Sequence, residues 1–134
     1  MTDKDLAGGW EMKVPSEDEL RKIVVRIFFM IETRGSVEYL LEPDPKASAY
    51  AKEVYVDSNG KASGGLIGYG SLNPLIIHLM NLTDLKTGDR TPQNGSLSVK
   101  FRGKVFECSI EVEPCGREDR RLRLKILNVK GEPN

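Results

Sequence analysis

The residues able to do chemistry here are few, and each can be tested against what a reaction would require of it. The nearest approach to a phosphate-binding loop is Gly60-Lys61, but Ala62 follows it and no glycine stands five positions upstream. A nucleotide motor needs the pattern G-x-x-x-x-G-K-[ST], whose glycine turn aims amides at the phosphates and whose hydroxyl holds magnesium. Nucleotide hydrolysis by this chain is therefore not expected. Gly64, Gly65, Gly68 and Gly70 could cradle an anion with their amides, but Pro74 removes one such amide and no lysine belongs to the cluster. The plainer reading is a loop entering a helix. His78 is the single histidine, so no multi-histidine metal site can form, and no motif ties a nucleophile to it. Cys108 and Cys115 lie seven apart, outside the spacing of a zinc site, and Cys108 shares parity with Ile110 and Val112. Glu107, Glu111 and Glu113 share one strand face open to solvent, whereas paired catalytic acids need a cleft that separates their pKa values. No cofactor or metal is expected. What remains is the polar stretch Arg90-Thr91-Pro92-Gln93-Asn94-Gly95. It reads as a turn, or as an arginine offered to a partner, with Arg90, Gln93 and Asn94 as the candidate contacts.

The elements that would position these residues follow from periodicity. Residues 1–14 read as a flexible arm in which Trp10 is the residue expected to dock. Ser16 followed by Glu19 is a capping box, and Leu20, Ile23, Val24, Ile27 and Ile31 recur at helical spacing. Val25, Phe28, Phe29 and Met30 widen that stripe, which predicts burial on more than one side, and Gly35 is a natural stop. Strands are expected over 37–41 and 49–56, with Asn59-Gly60 as a tight turn and a brief return over 61–63. After a glycine loop over 64–70, Asn73 is expected to cap a second helix with Pro74 at its first position. Its buried face is Leu75, Ile76, Leu79, Met80 and Leu82, with His78 on the other side, and a polar connection over 83–93 follows. The last forty residues alternate strictly: Leu97, Val99 and Phe101, then Phe106, Cys108, Ile110 and Val112, then Leu122, Leu124 and Ile126. This is an antiparallel meander with one wet face, on which acidic Glu107, Glu111 and Glu113 neighbour basic Arg121, Arg123 and Lys125. Residues 129–134 read as a frayed tail. The fold class is α+β: one domain over 15–128, an antiparallel sheet with helices on one face.

Composition bounds the function. The chain has 134 residues, 39% apolar and 30% charged, with twenty basic residues offsetting twenty acidic ones. That is one globular domain. Zero net charge gives no footprint for nucleic acid, and it leaves little repulsion against a homo-oligomer. No segment reaches the roughly 18 apolar residues of a membrane span, and the N-terminus lacks the apolar core of a signal peptide. A cytoplasmic location is expected, with no membrane insertion.

A family pattern is carried by Val24-Val25-Arg26 to Ile31, then Arg34-Gly35-Ser36, then Leu41-Glu42-Pro43. It resembles the stretch in type II secretion and type IV pilus assembly ATPases where a helix V-V-x-L-x-N-x-I-L-x-x-A leads through R-G-A-S-D to I-H-I-E-P. His78-Leu79-Met80 through Arg90-Thr91-Pro92-Gln93-Asn94-Gly95 is similar to that family's R-I-K-x-M-A-G-L-D-I-A-E-x-R-x-P-Q-D-G-R. There is one extra residue before the proline, and Ser96 stands in place of the second arginine. The resemblance spans residues 20–128 and concerns the small domain preceding the motor, which is PAS-like. It implies a PAS-like sheet and a surface that meets another subunit, with Arg90 at the place of the family's first loop arginine. The expected function is a non-enzymatic interaction or regulatory module that binds a protein partner, such as a secretion or pilus ATPase or another component of such a machine. The alternatives are a small-molecule-sensing PAS-like domain or an excised piece of a longer ATPase. If Arg90 is exposed, Arg90→Ala is expected to weaken partner binding at a stability cost under about 0.5 kcal/mol.

Overall fold

The computed structural model describes residues 15–131. The expected arm, including the docking of Trp10, lies outside the described residues, as do the last three residues of the expected tail.

Helix α1, Glu17–Arg34, starts where the capping box places it. Ser16 Oγ accepts from the Glu19 amide at 3.2 Å, and Glu19 Oε1 accepts from the Ser16 amide at 3.0 Å. Three acids in the first turn face the positive end of the helix dipole. Gly35 ends the helix in the left-handed region at φ 64°. Leu20, Ile27, Phe28 and Ile31 are buried, but Val25 and Phe29 are 54% and 43% exposed. The buried stripe is thus narrower than expected, because among the described residues α1 is covered on the side that faces the sheet and α2.

Three strands follow: β1 Ser36–Pro43, β2 Tyr50–Asp57 and β3 Ala62–Gly68. A 3-10 turn, Tyr69–Ser71, leads directly into α2, Leu72–Leu82. The second half holds β4 Gln93–Phe101, β5 Lys104–Cys115 and β6 Asp119–Gly131. All pairings are antiparallel, in the spatial order β3-β2-β1-β6-β5-β4. Two three-stranded meanders are joined through α2, and β1 lies beside β6. Both helices and one sheet face share a single apolar core, with Phe28 of α1 edge-on to Phe106 of β5 at 5.5 Å. Leu41, Ile110, Leu122 and Leu124 point into it from neighbouring strands.

Several expectations are corrected. The glycine stretch is not a loop: 62–68 pairs with β2 in unbroken register, from Val56↔Ala62 to Tyr50↔Gly68. Glycine is a poor strand former in isolation, so β2 imposes this strand as a partner. Asn73 does not cap α2. The helix begins at Leu72, two residues before the expected first position, and Asn73 Nδ2 instead donates to Asp119 Oδ1 at 3.2 Å. Pro74 falls at the third helical position, still within the first turn, where its missing amide has no intrahelical acceptor to lose. Leu82 is 52% exposed at the helix end rather than buried. Residues 129–131 are not frayed, since Val129, Lys130 and Gly131 pair with Phe106, Val105 and Lys104. Cys115 is the last residue of β5. A bulge in β6 separates the pairs Cys108↔Ile126 and Glu107↔Asn128, which leaves Leu127 66% exposed.

A carboxylate is buried against this core. Glu53 of β2 is 3% exposed; its Oε2 accepts from Tyr39 Oη at 2.6 Å and from Arg26 Nη2 of α1 at 2.9 Å. Burial first, and the Glu53 charge second, push Tyr39 well above the ordinary tyrosine value and Tyr55 up to about 12. The native chain therefore holds these protons where the unfolded chain releases them. Below about pH 10 both states are protonated and the contribution is complete. As pH rises beyond that, the unfolded state loses protons first, so stability falls, for Tyr55 through the range ending near 12. Phenolate absorbance should therefore rise together with loss of far-UV circular dichroism. Phenolate formation that runs to completion in a folded chain would overturn this account.

Candidate functional site

The connection between α2 and β4 is tied down at almost every residue. Thr83 Oγ1 donates to the carbonyl of Leu79 at 3.0 Å, and the Leu85 amide returns to the Met80 carbonyl at 2.9 Å. Asp89 Oδ1 accepts from the Thr91 hydroxyl at 2.7 Å and from the Thr91 amide at 2.8 Å. Gln93 closes the loop: its Oε1 accepts from the Lys86 amide at 2.8 Å, and its Nε2 donates to the Lys86 carbonyl at 2.8 Å.

Arg90 is placed otherwise than an arginine held out to a partner. Its guanidinium donates to the carbonyls of Glu118 and Arg117, each at 3.1 Å, and of Gly116 at 3.4 Å. Arg120, buried on β6, donates to the Thr87 carbonyl from the opposite direction. These two arginines clip the loop to the β5–β6 turn. Hydrogen bonds from a charged donor contribute about 1.5–3 kcal/mol when protected. With the discount for solvent, Arg90→Ala should lower stability by about 1 kcal/mol, above the cost expected for a free side chain. A denaturation midpoint equal to that of the parent chain would show that the clip adds nothing.

Asn94 is the member of the trio that stays exposed. It pairs with Glu111 in the β4–β5 ladder, so its side chain shares the sheet face opposite the two described helices. On that face, Leu40, Glu42, Pro92, Asn94, Glu113 and Arg121 line an open groove of about 450 Å³. Arg121 Nε lies 2.8 Å from Glu113 Oε1, and its Nη1 lies 3.9 Å from Glu42 Oε1. Arg123 Nε sits 3.9 Å from Glu38 Oε1. Both arginines are about half exposed, at 49% and 47%. The face is therefore striped: basic β6 runs between acidic β1 and acidic β5. Exposed pairs of this kind contribute little stability, about 0–1 kcal/mol each, and are free to exchange partners.

The acidic and basic alternation of β5 and β6 is legible in sequence. The second acidic column, Glu38 and Glu42, is not, because it reaches Arg123 and Arg121 only through the β1–β6 pairing. No local pattern signals which distant strand will lie alongside.

Elsewhere the reactive groups are quiet. Cys108 is 1% exposed, and burial pushes its thiol up to about 12, so it is a protonated core residue and no nucleophile. His78 is half-buried on α2. Among the described residues no three of His, Cys, Asp and Glu gather in a metal-binding group. No helix among the described residues is long and apolar enough to cross a membrane. No family model matches the chain, and no curated protein matches it either.

Proposed function

We propose that this chain is a non-enzymatic interaction module of the PAS-like kind found before the motor of type II secretion and type IV pilus ATPases. In this reading it acts in the cytoplasm and binds a protein of such a machine through the sheet face opposite its described helices. One observation carries the reading: a six-stranded sheet with its described helices on one side presents, on the other, a face of alternating charge columns with Asn94 and Pro92 at its rim. The linking of two meanders through a helix supports the PAS-like part. A mixed-sign face suits a partner surface of complementary stripes, for which charge governs specificity and association rate more than affinity. It suits nucleic acid poorly, since Arg121 on β6 has an acid on each flank.

Co-elution with the secretion and pilus ATPases of the same organism tests this, at low and at high salt. Binding should weaken with salt. Arg121→Glu should reduce it about tenfold, equal to about 1.4 kcal/mol, by placing three like charges together. Absence of binding to any such ATPase or machine component would sink the proposal. Binding indifferent to Arg121→Glu would remove this face from it.

A further inference from the structure

The sheet face opposite the two described helices carries its charges in rows as well as in columns. The strand order across its middle is β5-β6-β1-β2. The register sets Glu113, Arg121, Glu42 and Lys52 side by side in one row, alternating in sign from end to end. Four positions along the strands, Ser109, Lys125, Glu38 and Val56 form another row, a single base–acid pair between neutral residues. Glu111, Arg123, Leu40 and Val54 make the row between them. On the outer strands, β4 adds Asn94 and Ser96 to this face and β3 adds Gly64 and Ala62, all uncharged. The two outer rows share a property: read from the opposite end, every sign in them is reversed.

We infer that this face pairs with a second copy of the chain, about a two-fold axis running along the boundary between β1 and β6. Such a rotation lays β6 of each copy over β1 of the other, and β5 over β2. Every charge of the first row then meets its opposite: Arg121 faces the second copy's Glu42, and Glu113 faces its Lys52. Lys125 likewise meets the second copy's Glu38. In the row between, Leu40 comes against the aliphatic stem of Arg123, a surface that arginine can cover while its head stays among acids. The signs also select the axis. An axis across the strands would set each column over itself, base on base along β6 and acid on acid along β1 and β5. Sheets packed face to face keep their strands within about 30° of each other and lie about 10 Å apart, a gap that arginine, lysine and glutamate side chains fill from both sides. A two-fold contact uses one patch on both copies, so it requires a face that complements itself. Zero net charge adds no overall repulsion. Resting on the same face as the reading above, this pairing makes the second copy a competitor of the machine protein, which binds only when the copies part.

Sedimentation velocity of the purified full chain over a dilution series reads the pairing directly. Dimer should give way to monomer on dilution, and sooner at high salt. Arg121→Glu and Glu42→Arg should each weaken self-association at least about tenfold, since each sets like charges over one another twice per dimer. Mixed in equal amounts, the two variants should dimerise again, because the new acid of one faces the new base of the other and the unchanged residues face each other. Contacts within one chain cannot produce that rescue. Should either variant fail to fold, the parent decides the matter alone: on dilution the amide resonances of Leu40, Lys52 and Glu113 should move while those of α1 stay. A parent chain that is monomeric at every concentration overturns the inference. So do folded variants that remain monomeric when mixed, and so does a dimer that neither substitution weakens, which places the contact elsewhere on the surface. Self-association is read without any ATPase, so its absence leaves the machine-binding reading standing, and absence of ATPase binding leaves the dimer standing.

Discussion

Glu53→Ala is expected to destabilise the chain by about 3 kcal/mol, at the lower end of the range for breaking a buried ion pair. The carboxylate accepts from Tyr39 at 2.6 Å and Arg26 at 2.9 Å. Tyr39 is fully buried, so removal strands its hydroxyl without water, a loss of about 1–3 kcal/mol by itself. Arg26 is 42% exposed and can turn to solvent, which holds the total at the lower end. Glu53→Gln should cost less, because the amide oxygen still accepts from Tyr39. Chemical denaturation of the two variants checks this. An alanine variant within about 1 kcal/mol of the parent, or a glutamine variant equal to it, would mean that the network specifies how α1 sits on β2 without stabilising it.

Gly64→Ala is expected to cost about 2–3 kcal/mol and to loosen β3 from β2. A Cβ at position 64 would stand 2.3 Å from the backbone carbonyl oxygen of Glu53. Backbone in a paired strand cannot step aside, so the two strands must part around Val54↔Gly64. The neighbouring Gly65 is an internal control, for its added Cβ meets nothing within 4 Å. Gly65→Ala should be neutral or stabilising by about 0.5 kcal/mol, because alanine loses less backbone freedom on folding. Hydrogen exchange would show faster amides in β3 for the first variant alone. Equal melting temperatures for the two would refute the close approach. Since β3 is an edge strand with one neighbour, the first variant should release it while β1, β6, β5 and β4 stay paired.

The two substitutions meet at one place. Glu53 sends its side chain into the core and offers its carbonyl to the close approach of Gly64, so β2 is fixed on α1 and on β3 through the same residue. That arrangement holds the described helices on one face, opposite the face to which the contacts are assigned above.

The sequence determined whatever a few neighbouring residues can settle among themselves. The capping box at Ser16 and Glu19, the left-handed stop at Gly35, the parity of the last three strands and the α+β class all depend on contacts within one turn or one pleat, and all are present. Tertiary structure decided the rest. Residues 62–68 have the composition of a loop and become a strand because β2 offers hydrogen bonds that outweigh glycine's preference. Arg90 has the composition of a free contact and becomes a clip because three carbonyls 26–28 residues away turn toward it. Of the expected contact trio, Asn94 and Gln93 reach the groove, and Glu42 joins Arg121 there only because β1 chose β6 as its neighbour. Such partners are set by which faces can be buried together, and no spacing along the chain records that choice.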